Sequence, residues 1–377
     1  MLQEFLNKKP LYYDKIDYER MPKTYARIKD KLKLPKIIHL VGTNGKGTTG
    51  RFLASALYSL GFNVGHYTSP HILHFNERIW LNGNDVLDCT LENAHTFLQE
   101  ILTQEESEAL SYFEYTTLLA MVILQHFDYV VLEAGLGGEK DATAVFENIV
   151  TVVTPIDKDH EAFLGDTIEQ IATTKLKAVQ KEAILAYQKH QEVYEVAKKI
   201  TPKYTSFEEF LEEEDKQKIQ NIAKSLNLPQ YLEQNLSLSV AVLKFLKLSY
   251  SESDFVEAKL FGRLTQLKEN VIVDVGHNPL AAQAIVESLK PNKYTLVYNS
   301  YSDKDYKSIL TILQPIVQEV EILHIENERI EDTLKLEHAV DTLGFQRSVF
   351  KELKEEKNYL VFGSFKVVEE FLKVING

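Results

Sequence analysis

The sequence predicts an α/β protein of two domains, each built on a mainly parallel sheet. Short apolar runs, Lys36-Ile37-Ile38-His39-Leu40-Val41, Tyr129-Val130-Val131-Leu132 and Ile149-Val150-Thr151-Val152-Val153, read as buried strands. Helical spacings fall between them, and strands alternating with helices need crossover connections and parallel pairing. A polar stretch, Ser249 to Asp254, then precedes a fresh alternation of the same kind. The expected domains are residues 1–254 and 255–377, since 377 residues exceed one typical core.

In chain order, Met1 to Leu34 reads as short helical pieces with basic and aromatic residues. The first strand runs into Gly42-Thr43-Asn44-Gly45-Lys46-Gly47-Thr48-Thr49, and a helical pattern follows through Leu60. Phe62 to Tyr67 is strand-like; Tyr112 to Phe127 and Thr167 to Val179 have helical spacing. Tyr204 to Lys224 is charged and helix-prone, with Glu212-Glu213-Glu214-Asp215 read as a solvated face. Glu233 to Leu248 is another helix. Strands at Val271–Val273, Thr295–Tyr298, Glu321–Ile325 and Tyr359–Phe362 give the second domain a Rossmann-like α/β pattern.

Composition narrows the class. Hydrophobic content of 44% and charged content of 26% are ordinary for a globular chain. No apolar run is long enough for a transmembrane helix, and Met1 to Lys9 is charged and unlike a signal peptide. The one cysteine, Cys89, permits no intrachain disulfide and fits a cytoplasmic location. A net charge of −13 makes a poor binder of nucleic acid or anionic membrane. Anionic small substrates stay open, because placed lysines, backbone N–H groups and a divalent cation reverse the sign locally. A monomer is expected.

Strand, glycine-rich turn, lysine, hydroxyl residues and helix form an arrangement that cradles phosphates, which makes the first domain P-loop NTPase-like. The glycines let backbone N–H groups converge, and the helix N-terminus adds positive potential. Lys46 supplies a point charge for the terminal phosphates. The pattern departs from the common one, since Gly47 separates Lys46 from Thr48. A glycine-rich turn with an incidental lysine is the competing explanation.

Further strings resemble one family, the Mur-type ligases, and within it the folylpolyglutamate and dihydrofolate synthases. They are Tyr67-Thr68-Ser69-Pro70-His71 with Glu77-Arg78-Ile79; Tyr112-Phe113-Glu114-Tyr115; Glu133-Ala134-Gly135-Leu136-Gly137-Gly138 with Asp141-Ala142-Thr143; Asp159-His160 with Leu164-Gly165; Gly262-Arg263; Asp274 to Pro279; Asp303-Lys304-Asp305; and Gly363-Ser364-Phe365. They stand in the family's order across most of the chain. The chain departs from the family's usual residues at Glu139, Ala144 and the run Thr174 to Ala178.

The resemblance implies a first domain of the Mur ligase central type and a C-terminal glutamate-ligase domain. It implies an ATP-dependent ligase that adds L-glutamate to dihydropteroate, to reduced folates, or to both. Activation of a carboxylate as an acyl phosphate is the chemistry such an amide bond requires. Residues 42–48 and Lys46 would hold ATP, with Asn235, Arg263, Asp274 and His277 contacting it from elsewhere in the chain. ATP contacts from both domains would entail closure over the nucleotide. Mg²⁺, at two sites, would be held by Ser69, Glu133, His160 and Lys175, the last carbamylated. Lys46, His160 and Lys175 form the implied catalytic set.

Glu133 also suits a metal on physical grounds, because it closes a buried strand where ligands gather in open α/β sheets. Ser111, Tyr112, Phe113 and Glu114 offer an aromatic face and a carboxylate at a helix start, as a pterin needs; an apolar helix face would look alike. Lys140, Asp141 and Ala142 follow Glu133 where the family contacts dihydropteroate. Two rival readings are a Mur-type ligase acting on a cell-wall precursor and an inactive ATP-binding scaffold.

Overall fold

The structure is a computed structural model that describes residues 1–9 and 17–376. The chain divides into two compact units. The first comprises Met1–Ser69, Phe75–Leu228 and Leu232–Lys259; the second comprises Pro70–His74, Pro229–Tyr231 and the chain from Leu260 on. The sequence reading places the boundary after Asp254. The chain stays with the first unit for a few residues more because Phe255 and Ala258 are buried among Leu57, Leu243 and Phe52.

The strands of the first unit are β1 (Lys36–Val41), β2 (Val64–Tyr67), β3 (Ile79–Leu81), β4 (Asn84–Asp85), β5 (Tyr129–Glu133), β6 (Val150–Val153), β7 (Ala183–Leu185) and β8 (Tyr204–Ser206). They form one eight-stranded sheet in the order β4-β3-β2-β5-β1-β6-β7-β8. From β2 to β8 the neighbours pair in parallel, while β3 and β4 pair antiparallel at the edge. Alternation along each strand sends neighbouring residues to opposite faces. Ile37 and Val130 join one core cluster, with Leu118 and Leu98; Ile38 and Val131 join the other, with Phe52 and Val240. Both faces are therefore covered by helices, as a parallel sheet requires.

Two sequence expectations shift here, and another falls partly outside the described residues. Residues 10–16 of the opening stretch lie outside the described residues; around them stand the helices Leu2–Asn7 and Arg20–Ile28. Tyr204–Ser206 is an edge strand paired with β7, not helix, and the helix runs from Glu213 to Ser225. The acidic run at its start is only partly solvated. Asp215 is 4% exposed and accepts hydrogen bonds from Tyr250 Oη at 2.9 Å and the Glu212 N–H at 3.0 Å. Acidic residues in a first helical turn also complement the N–H groups exposed there.

The second unit holds β9 (Thr265–Lys268), β10 (Val271–Val273), β11 (Tyr294–Tyr298), β12 (Val317–Ile322), β13 (Gln346–Val349) and β14 (Tyr359–Phe362). Their order is β13-β12-β11-β14-β10-β9, parallel except for β9. The expected strand Glu321–Ile325 lies earlier in the chain. Val320 and Ile322, two apart in β12, face one core cluster, while Leu323 and Ile325 are buried beyond its end. Leu296 and Leu360 face one core cluster, Val297 and Val361 the other.

Candidate active site

The phosphate-type loop leaves the carboxyl end of β1, the strand flanked by β5 and β6. Its backbone is tied to the chain after β6. The Thr43 and Asn44 N–H groups donate to Pro155 O at 2.9 and 3.3 Å. Thr43 Oγ1 donates to Asp157 O at 2.9 Å and lies 3.1 Å from the Asp157 N–H. Two glycines are demanded by space as well as by backbone. A Cβ on Gly42 would stand 2.0 Å from Thr154 Oγ1, and one on Gly45 would stand 2.6 Å from Asn235 Oδ1. Gly45 has φ of 88° and caps the helix Lys46–Ser59. Asn235, on the helix Gln230–Phe245, therefore lies directly against the loop. Gly47 and Thr48 are buried in the first turn.

Lys46 curls back over its own loop. Its Nζ donates to Gly42 O at 3.2 Å and Thr43 O at 3.3 Å, and stands 3.9 Å from Glu133 Oε1. Glu133 ends β5 and is 5% exposed. Its Oε2 accepts from the Thr68 hydroxyl and from the Ser69 N–H at 3.4 Å. Ser69 meets Glu133 through its backbone here.

Lys175, on the helix Ile168–Leu176, is a second lysine at this loop and is 5% exposed. Its Nζ donates to the same Gly42 carbonyl at 2.9 Å. Burial, and then the nearby Lys46 charge, pull its pKa from 10.5 down to about 7, against the opposing pull of Asp159 and Asp141. An amine so placed is neutral in a sizeable fraction at neutral pH. His160 adopts φ of 52°, and its Nε2 stands 3.8 Å from Asp159 Oδ2.

Among the described residues, no group of three His, Cys, Asp or Glu is close enough to hold a metal ion. The expected set Ser69, Glu133, His160 and Lys175 draws only two residues, Glu133 and His160, from those types. Glu133 fits a divalent cation well: it is a hard, buried carboxylate at a strand end. A hard divalent ion such as Mg²⁺ takes few protein ligands and leaves positions for water and phosphate.

The aromatic helix start is built by a capping box. Ser111 Oγ accepts from the Glu114 N–H at 3.2 Å, and Glu114 Oε2 accepts from the Ser111 N–H at 2.7 Å. Glu114 also pairs with Arg20 at 2.6 Å, so its carboxylate is already engaged. Tyr112 lies under the Arg78 guanidinium, 5.5 Å from ring centre to Cζ. Phe113 fills the space over Gly135, where a Cβ would meet its ring at 2.6 Å. In the following loop Lys140 is exposed over Tyr18, 4.4 Å from the ring centre. Asp141 is buried instead, accepting from the Leu136 and Thr143 N–H groups at 2.9 Å each. Ala142 is buried beside it.

In the second unit Asp274 follows β10 and is 4% exposed. It accepts from the Leu264 N–H at 2.8 Å and the Gly276 N–H at 2.7 Å, with Tyr231 Oη at 3.4 Å. Burial raises its pKa, partly offset by the Arg263 charge. Arg263 stacks over Phe365 at 5.1 Å, and His277 Nδ1 lies 3.2 Å from Val275 O. Asp305 caps the helix Tyr306–Leu313 through the Ser308 N–H at 3.1 Å.

Several site-shaping residues went unread in the sequence. Thr68, next to Ser69, had a local signal. Arg20 on Glu114, and Pro155 and Asp157 under the loop, had none, because each meets its partner only through the fold.

Comparison with known proteins agrees with this architecture. The dihydrofolate synthase/folylpolyglutamate synthase of Haemophilus influenzae is 31% identical to the chain, covering 97% of it and 96% of that protein. The chain belongs to the dihydrofolate synthase/folylpolyglutamate synthase family. The crystal structure of Helicobacter pylori folylpolyglutamate synthetase, 38% identical, superposes with a TM-score of 0.80 over 99% of this chain and 97% of that one. A bifunctional folylpolyglutamate synthase/dihydrofolate synthase with Mn, AMPPNP and L-glutamate bound is 25% identical, with a TM-score of 0.80 over 98% of this chain and 96% of that one. No family model matches the chain. Like those family members, it has two units built on mainly parallel sheets. No helix among the described residues is long and apolar enough to cross a membrane.

Proposed function

We infer that this chain is an ATP-dependent ligase joining L-glutamate to dihydropteroate, to reduced folates, or to both. The observation that bears most weight is the ensemble at the carboxyl ends of β1 and β5: a glycine-rich loop, Lys46 bound to that loop, and Glu133 at 3.9 Å. It sets a cation and a carboxylate at the mouth of a phosphate cradle.

The reaction has two steps. An acceptor carboxylate oxygen attacks the γ-phosphorus of ATP, ADP leaves, and an acyl phosphate forms. The amine of glutamate then attacks the acyl carbon, phosphate leaves, and the amine's proton passes to solvent. In-line placement and charge stabilisation dominate such a transfer. Loop N–H groups and Lys46 would hold the phosphates, and Asn235 would border the nucleotide beside Gly45. Arg263, Asp274 and His277 are proposed nucleotide contacts of the second unit. Tyr112, Phe113 and the loop Lys140–Ala142 would take the pterin end of the acceptor. A divalent cation, Mg²⁺ or a substitute, would bind at Glu133 with Ser69 and screen the meeting of two anions.

Two finer features belong to the same reading. A second cation site would use His160 and a carbamylated Lys175. The lowered lysine pKa favours the neutral amine that carbamylation needs. The protein would act in the cytoplasm as a monomer.

The test is ADP release with ATP, Mg²⁺ and glutamate, plus dihydropteroate, tetrahydrofolate or a nucleotide-linked cell-wall precursor. Release is expected with a pteroate or folate, and Lys46→Ala should lower it at least a hundredfold. Release with the cell-wall precursor alone would overturn the reading.

A further inference from the structure

His39 stands mid-strand in β1, between Ile38 and Leu40, where an apolar residue would pack without any polar cost. It is 1% exposed. Its Nδ1 meets no hydrogen-bond partner among the described residues. A buried ring nitrogen left unpaired is a standing destabilisation, so the other nitrogen must serve a purpose. That nitrogen, Nε2, lies 2.8 Å from Thr143 Oγ1.

The hydrogens in this chain have one consistent direction. Thr143 Oγ1 lies 2.5 Å from Asp141 Oδ1, and Asp141 is satisfied as a carboxylate because backbone N–H groups donate to both of its oxygens. The hydroxyl has one hydrogen, and it goes to Asp141. Nε2 must then be the donor to Thr143, which fixes the neutral Nε2–H tautomer. Asp141 in turn sets the loop through Leu136 and Thr143. That loop passes under Phe113 at Gly135 and against the Lys175 backbone at Gly138, where a Cβ would meet Lys175 O at 2.6 Å.

We propose that His39 is a positioning residue for the acceptor: its Nε2–H, through the Thr143 hydroxyl, holds the Asp141 carboxylate and with it the Gly135–Ala142 loop. This rests on reading that loop as part of the acceptor site. The relay runs from the strand that bears the phosphate loop to the loop that meets the acceptor, and it registers one against the other.

His39→Leu removes the donor and the unpaired Nδ1 together, so the folded chain should melt no lower than the parent. The Michaelis constant for the folate acceptor should rise fivefold or more, while that for ATP stays within twofold. His39→Gln, which can offer an amide N–H near the Nε2 position, should restore the acceptor constant to within twofold. Thr143→Val breaks the relay from the other side and should give the same split; the double variant should be no worse than the more affected single one. The ring ¹⁵N shifts of His39 at pH 7 should report Nε2–H. An unchanged acceptor constant in His39→Leu, an equal rise for ATP, or an Nδ1–H ring would each overturn the relay. The parent assay separates two failures: an inactive parent sinks the ligase reading, whereas an active parent with an indifferent His39→Leu sinks the relay alone.

Discussion

Lys175 and Lys46 show how one carbonyl can organise a site. Both ammonium groups donate to Gly42 O, at 2.9 and 3.2 Å, yet their surroundings differ. Lys46 has Glu133 nearby, while Lys175 is buried with its pKa lowered to about 7. An unfolded chain keeps that proton up to its ordinary pKa of 10.5, so between about 7 and 10.5 the unfolded state binds more protons. Folding stability therefore rises with pH in that window, and the burial penalty stands in full below it. In CO₂-depleted buffer, Lys175→Met should be more stable than the parent near pH 6.5. That advantage should shrink by about 1 kcal/mol per pH unit as pH climbs above 7. Urea unfolding at three pH values reads it, and a pH-independent difference would contradict a buried amine of this kind.

At the scale of elements, turns and caps place the chemistry. Ser111 with Glu114, Thr167 with Gln170 and Thr103 with Glu106 are capping boxes that start their helices. Such boxes are written locally, as a hydroxyl residue followed three positions later by Glu or Gln. Gly45 and Gly61 both have positive φ near 90°, but a Cβ on Gly61 meets nothing within 4 Å. Gly61→Ala should cost about 1 kcal/mol of backbone strain and leave the ATP Michaelis constant alone. Gly45→Ala carries the same strain and also drives a methyl into Asn235, so that constant should rise at least tenfold. Equal kinetics in the two variants would show that the Gly45–Asn235 approach is idle.

The strands that read clearly were the buried ones. Lys36–Val41, Tyr129–Glu133 and Val271–Val273 are short apolar runs with turn residues at their ends. Tyr204–Ser206 did not read as a strand, since three half-exposed edge residues carry no period-two signal. Glu114 reads as a carboxylate offered at a helix start, yet Arg20, 94 positions away in the chain, is bound to it.

For the whole molecule, a net charge of −13 sets a negative background against which an anionic nucleotide must bind. Local cations and a divalent ion have to outweigh it. Chelation with EDTA should abolish ligase turnover, and excess Mg²⁺ or Mn²⁺ should restore it. A non-hydrolysable ATP analogue should raise the melting temperature more with the metal than without it. Turnover that survives thorough chelation would remove the cation from Glu133.

The sequence by itself determined the α/β class, the glycine-rich loop and its lysine, and the order of the family's motifs. These are short-range facts: residue types at fixed spacings dictate a turn, a cap or a buried strand. Only the tertiary structure decided that Lys175 shares a carbonyl with Lys46, that Asn235 abuts Gly45, and that His39 reaches Asp141 through Thr143. Those contacts join residues a hundred or more positions apart, and parallel crossovers, which bring distant strands side by side, leave no local trace of the pairing.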